Sequence, residues 1–320
     1  MGGSDMVRYV LGRLVALGVT LFIIVTVSFV AIRYMPGNLY EDPHISPAAM
    51  AAINAKYHLD KPVMEQFYYF LRGIVLEGDW GTSIKIRPAI PAFDILRSRI
   101  PVSMSLNLIS LIISLPLGVV FGTISAMRHN KMIDNVISFA VVICISVPSF
   151  VFASMLQYYL GFKFGWFPII FKASATGKDY ALAIVLPILA LAVGPIATIT
   201  RYLRGELIET LSSEFMLLAR TKGLTRTQAI IRHAFRNSMV PLLNILVSLF
   251  VGILGGSLVI ERIFAIPGVG GIMVDAINAM DHPLTIAVLI FYSFVSLIAV
   301  LLVDILLGIV DPRIRMGARQ

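Results

Sequence analysis

Six apolar stretches divide the chain, at approximately 10–32, 102–127, 133–160, 181–200, 239–260 and 285–310. Each reaches the roughly 20 residues that an α-helix needs to cross about 30 Å of hydrocarbon. The long interval 33–101 has helical signals of its own. In "SPAAMAAINAKY", Ser46 stands as an N-cap with Pro47 at the first helical position. In "KPVMEQFYYFLRGIV", Val63, Phe67, Phe70 or Leu71, and Ile74 recur at helical spacing, and the aromatic run 67–70 suits the headgroup level. "EGDWGTS" reads as a turn, and a third amphipathic piece, 93–100, leads into the second span at Pro101. The pattern predicts an all-α membrane protein with a small helical cap on one face.

The polar interval 201–238 is patterned differently. A helix is predicted over about 205–222, with Phe215, Leu218, Ala219 and Lys222 on one face and Glu206 and Glu209 in its early turns. Arg220 and Lys222 fall in the last turn, where the helix dipole favours cations. Gly223 stands where a C′ residue takes a left-handed conformation. Thr225 and Gln228 have capping-box spacing and begin a second helix to about Arg236, whose apolar stripe is Ile230, Ile231, Ala234 and Phe235. A solvated connecting loop needs neither two caps nor two apolar faces. A docking surface for a partner on that side of the membrane needs both.

Composition supports the membrane reading: 58% of the 320 residues are hydrophobic and 14% charged, and the mean hydropathy is +0.88. Soluble domains are about half apolar and a quarter charged. The net charge of +8 is distributed as a topology signal, which removes nucleic acid as a partner. With the N-terminus inside, the inner short segments hold 14 Lys and Arg residues and the outer ones four, with eight more in 33–101. Both termini are therefore expected to be cytoplasmic. The first apolar stretch is too long for a signal-peptide core and has no cleavage site before "RYMPGN", so it reads as an uncleaved anchor. Residues 1–5, "MGGSD", read as a cloning remnant ahead of a natural start at Met6. The lone cysteine, Cys144, excludes an internal disulfide.

Catalytic chemistry finds little footing. There is no GxxxxGK[ST] phosphate loop, and "PGVGG" at 267–271 lacks dinucleotide-binding spacing. The five histidines lie outside the apolar stretches and lack metal-ligand spacing, so no catalytic residue, metal site or cofactor is expected on this chain. Arg13 and Asp304 are charged residues within spans, each one to two turns from the inner end, and are expected to pair. Asn107, Gln157 and Asn244 are translocation-path candidates that could equally hold helices together. An ion-coupled carrier would show midplane carboxylates or broken helices. Their absence from the pattern points to energy supplied by a partner, while a scaffold without transport is the third class left open.

The stretch "EFMLLARTKGLTRTQAIIRHAFRNSMVP" resembles the EAA loop of ABC importer permeases, in the form found in the oligopeptide/dipeptide/nickel group. The matching positions are Glu214, Ala219, Arg220, Lys222, Gly223, Leu224, His233, Ala234, Arg236, Asn237 and Pro241; Leu217 stands where the general pattern has glutamate. "MPGN", "YHLDKPVMEQFYYFL", "GDWGTS", "IERIFAIPGVGGIMVDAI" and "DPRIR" extend the likeness to the B-type subunit of peptide importers. The resemblance implies the six-span type I ABC importer permease fold, with a permease core over 102–320. It implies a coupling helix in which Glu214, Phe215, Ala219, Arg220, Lys222, Gly223 and Leu224 meet an ATPase. Its implied partners are a second permease subunit, two ATPase subunits that bind ATP and Mg, and an external peptide-binding protein that 33–101 would help to dock. Its location would be the bacterial cytoplasmic membrane. The alternative is a nickel importer permease, disfavoured by spans that lack histidine.

Overall fold

The computed structural model describes residues 3–34, 46–172, 176–225 and 258–310, and between the last two the positions 228, 230, 234, 235, 238, 242, 245 and 249. Its named helices are α1 (Gly3–Arg33), α2 (Pro47–Tyr57), α3 (Val63–Arg72, continued by a π turn Gly73–Glu77), α4 (Ala92–Met127) and α5 (Met132–Ser146). They continue with α6 (Ser149–Leu156, followed by a π segment Gln157–Lys163), α7 (Gly177–Leu211), α8 (Glu214–Thr221), α9 (Val269–Asn278) and α10 (His282–Val310). Among the described residues the only β pairing is an isolated bridge, Thr82 to Pro91.

Among the described residues, four helices are long and apolar enough to cross a membrane: within α1, α4, α7 and α10, at Arg8–Arg33, Ala92–Met127, Gly177–Leu211 and His282–Leu302. The predicted third span is broken instead of straight, because α5 and α6 meet at 101°. Pro148 causes the break. Its ring disfavours helical backbone at the preceding residue, and Val147 is extended at φ −87°, ψ 124°. The Pro148 carbonyl then starts α6 by accepting from Val151 N–H at 2.9 Å. The predicted fifth span, 239–260, lies outside the described residues apart from 242, 245, 249 and 258–260.

The piece predicted at 93–100 is not separate from the second span. α4 is one helix of 36 residues through Pro101, about 54 Å at 1.5 Å per residue, well beyond the hydrocarbon thickness. Proline costs one helical bond, to the carbonyl of Arg97, an exposed residue. Ile95 and Leu96, each 1% exposed, anchor the turns before it.

The chain divides into two compact units, 1–102 with 267–301 and 103–266 with 302–320. In the first, α3 packs on α1 and on the first turns of α10, burying Val25, Phe29, Ile32, Phe67, Ile286 and Ile290. Asp281, fully buried just before α10, ties down the 83–87 turn. Its carboxylate accepts from Ser83 Oγ at 2.5 Å and from the backbone N–H groups of Ile84, Lys85 and Ile86 at 3.0–3.2 Å. A carboxylate answered by several donors this way holds a loop without needing a cation.

In the second unit α5 and α6 pack against α7, and α4 approaches α7 through "GVVFG", a small-xxx-small pair at Gly118 and Gly122. A Cβ on Gly118 would lie 2.6 Å from Ile199 Cβ, and one on Gly122 would lie 3.0 Å from the Thr200 carbonyl. Thr200 Oγ1 reaches the Gly118 carbonyl at 3.3 Å, and Ser114 Oγ reaches the Ala192 carbonyl at the same distance. Gly118→Ala is therefore expected to overpack this contact, at about 1–3 kcal/mol. It should lower the thermal unfolding midpoint of the purified transporter, whereas Gly194→Ala, a position with open space around it, should not.

Candidate coupling surface

The helix expected to begin near 205 is the end of α7, which runs from the membrane through Gly205 to Leu211. Glu206 and Glu209 therefore sit in its final turns and not at the start of a new helix. The break falls at two serines whose hydroxyls turn back onto the helix: Ser212 Oγ donates to the Glu209 carbonyl at 2.8 Å and Ser213 Oγ to that of Thr210 at 2.5 Å. α8 follows at once with Glu214 in its first turn.

The buried face of α8 is Met216 and Ala219, seated on Leu203 and Leu207 of α7, Ala126 at the end of α4, and Ala234. The predicted face differed, since Leu218 is 57% exposed, beside Leu217 at 65%. Glu214 and Lys222 are exposed; the side chains of Phe215 and Arg220 lie outside the described ones.

Gly223 has φ +86°, the left-handed region expected of it. Leu224 N–H bonds back to the Ala219 carbonyl at 3.3 Å, the 6→1 bond of a Schellman motif, and Leu224 packs on the cluster that contains Ala219. The capping box is present and reciprocal. Thr225 N–H donates to Gln228 Oε1 at 3.1 Å, and Gln228 N–H donates to Thr225 Oγ1 at 3.3 Å. Beyond it Ile230 and Ala234 are buried and Phe235 partly so; Ile231 lies outside the described residues. Thr210 Oγ1 and Ser238 Oγ, 3.1 Å apart, join this second segment to α7. α8 is thus held on its inner side by apolar contact and at its end by backbone geometry, leaving Glu214, Leu217, Leu218 and Lys222 presented outward.

A buried ion pair braces the same end of the unit, and sequence reasoning missed it. Arg204 of α7 grips Asp134 of α5 with two bonds, Nε to Oδ1 at 2.6 Å and Nη2 to Oδ2 at 2.8 Å. Asp134 is 1% exposed and also accepts from Ser125 Oγ at 2.5 Å and Asn130 N–H at 2.9 Å, with His129 Nδ1 at 3.3 Å. This fork ties the α4–α5 turn to α7 just before α8. The available signal was a lone carboxylate opening an apolar run; Arg204 read only as one more topogenic cation.

Asn107 is 1% exposed on the α4 face that carries Ser110 and Ser114, and its amide has no hydrogen-bond partner among the described residues. Gln157 Nε2 donates to the carbonyls of Ile169 at 2.8 Å and Ile263 at 3.0 Å, stitching the loop after α6 to the helical segment 258–263. Asn244 lies outside the described residues. Arg13 lies with its guanidinium 5.4 Å from the Tyr9 ring centroid, and Asp304 is half-buried in α10.

Long apolar helices, with one predicted span broken at Pro148, define a polytopic membrane protein. Residues 118–316 match the family described as the binding-protein-dependent transport system inner membrane component, and residues 6–107 match the N-terminal component of such membrane proteins. The chain belongs to that family. It is 40% identical to the dipeptide transport system permease protein DppB of Lactococcus lactis subsp. cremoris over 97% of this chain and 100% of that one. It is 36% identical to DppB of Bacillus subtilis over 97% and 99%. Identity to the oligopeptide transport system permease protein OppB of Escherichia coli K12 is 33%, over 97% and 100%.

Proposed function

We propose that the chain is a permease subunit of an ATP-driven importer of dipeptides or oligopeptides. It would work with a second permease, two cytoplasmic ATPase subunits and an extracytoplasmic peptide-binding protein. The observation that carries the reading is α8: a helix fixed on one side, exposing Leu217 and Leu218 on the other between Glu214 and Lys222. Exposed leucines bounded by charges suit a groove in a soluble partner, and the peptide cargo follows the named transporters to which nearly the whole chain is similar. Those names favour peptide over nickel.

In this reading α8 and both termini face the cytoplasm, following the excess of Lys and Arg on that side. The path lies between this chain and the second permease. Asn107, Gln157 and Asn244 shape its wall, Gln157 by holding the loop after α6. Arg13 and Asp304 offset one another's cost in hydrocarbon.

Leu217→Asp together with Leu218→Asp places two charges on the exposed face and leaves Met216 and Ala219 seated. The variant should insert and accumulate as the parent does but retain less than a tenth of the ATPase subunits on affinity purification. Full retention of the ATPases would remove α8 as their docking helix.

A further inference from the structure

The three sides of α3 have three different environments. At about 100° per residue, Val63, Phe67 and Ile74 share one side, which packs on α1 and α10. A second side, Gln66, Tyr69 and Gly73, lines a cavity of about 290 Å³ whose rim carries Arg33, Lys56, Glu77 and Asp79. The side opposite that charged cavity is Met64 and Tyr68, continued by Val75 in the π turn. These are 75%, 62% and 74% exposed. Exposed Glu65 and Arg72 lie between this row and the cavity side, so large apolar side chains occupy one edge of the helix and charged groups the other, the pattern of a helix lying at a membrane surface.

The level of α3 along α1 gives the same direction. Arg33 ends the apolar stretch of α1 and donates from Nε to Gln66 Oε1 at 2.5 Å, on the cavity side of α3. The Phe67 ring lies 5.3 Å from that of Phe29 and 6.2 Å from that of Phe22. Those residues are four and eleven positions inside Arg33, about 6 and 16 Å along the helix axis. The packed side of α3 therefore sits beside the interior of the span, and Met64, Tyr68 and Val75 point still further from the polar rim. The lipid-facing surface of α1, with Val19, Phe22, Ile23 and Val27 each more than half exposed, lies at the same level.

We propose that α3 is a membrane-surface helix embedded in the leaflet at the Arg33 end of α1, with Met64, Tyr68 and Val75 in contact with phospholipid acyl chains. The charged cavity is then the water-facing side of this segment, and any soluble partner meets the cavity rim and not this apolar row. The proposal depends on α1 spanning the bilayer and is independent of the cargo.

The test uses the assembled transporter in phosphatidylcholine and phosphatidylglycerol vesicles, in a Cys144→Ser background. Single cysteines are introduced as Met64→Cys, Tyr68→Cys and Val75→Cys, with Glu77→Cys on the cavity rim as reference. The three row positions should react with a membrane-impermeant maleimide at least tenfold more slowly than the reference. Labelled with bimane before reconstitution, they should lose at least half their fluorescence to phospholipid carrying a doxyl group at acyl carbon 5. Fast aqueous labelling, or labelling blocked by the loaded binding protein, would overturn the proposal. So would slow labelling without lipid quenching, which would mean burial against another subunit.

Discussion

Arg204→Met is expected to be among the most damaging single substitutions in the chain. It removes both bonds of the fork and leaves the buried Asp134 carboxylate answered, among the described residues, by Ser125, Asn130, Ser138 and His129 without a full counter-charge. Breaking a fully buried pair from one side costs about 3–5 kcal/mol, because the remaining charge is left uncompensated, and the 28% exposure of Arg204 places this pair at the lower end. That is comparable to a large part of the 5–15 kcal/mol that holds a typical domain folded. The variant should accumulate poorly and unfold at a clearly lower temperature in detergent. Removing both charges has a different outcome. Asp134→Leu with Arg204→Met leaves no orphan ion, and replacing a buried pair by apolar residues is often neutral. The double variant should therefore recover most of the lost thermal midpoint. A single variant as stable as the parent, or a double variant no better than the single, would show that the pair does not brace this end of the unit.

Gly223→Val should have a small energetic and a large functional effect. Nothing lies within 4 Å of a Cβ built on Gly223, so the substitution meets no neighbour. The difficulty is the backbone at φ +86°, where a left-handed conformation costs an L-residue on the order of 1–2 kcal/mol and a β-branched one more. The local answer is to leave the left-handed region, which breaks the Leu224 to Ala219 bond and shifts the capping box two residues later. The helices on either side would then point differently while the spans remain inserted. Normal accumulation with peptide uptake reduced at least tenfold is expected, together with ATP hydrolysis that is lost or unresponsive to loaded binding protein. Gly223→Ala should be milder, and Gly223→Asn milder still, because asparagine tolerates the left-handed region.

These two sites also show what the sequence makes legible. Gly223, Thr225 and Gln228 are readable because the contacts that define them close within one turn. The apolar runs are readable because a bilayer demands length and uniformity, and those of α1, α4, α7 and α10 stand as helices. The bend at Pro148 had a local signal, which a reading by run length passes over. The α7–α8 break was hidden because Glu206 and Glu209 are good helix formers, and the break depends on which way two serine hydroxyls turn. The Asp134–Arg204 fork joins residues 70 positions apart, so neither residue's local pattern announces the other. "GVVFG" passes unnoticed inside an apolar run, and only the fold shows that Ile199 and Thr200 fill the gap it opens.

Peptides are expected to cross the membrane through this chain only when partner ATPases act on α8. The measurement is uptake of a labelled oligopeptide into vesicles holding the purified complex, with loaded binding protein outside. One set of vesicles contains ATP and magnesium, and another contains neither but carries an imposed potassium diffusion potential and proton gradient. Accumulation is expected in the first set alone, with no competition from nickel. Accumulation in the second set, or nickel uptake in place of peptide, would contradict that expectation.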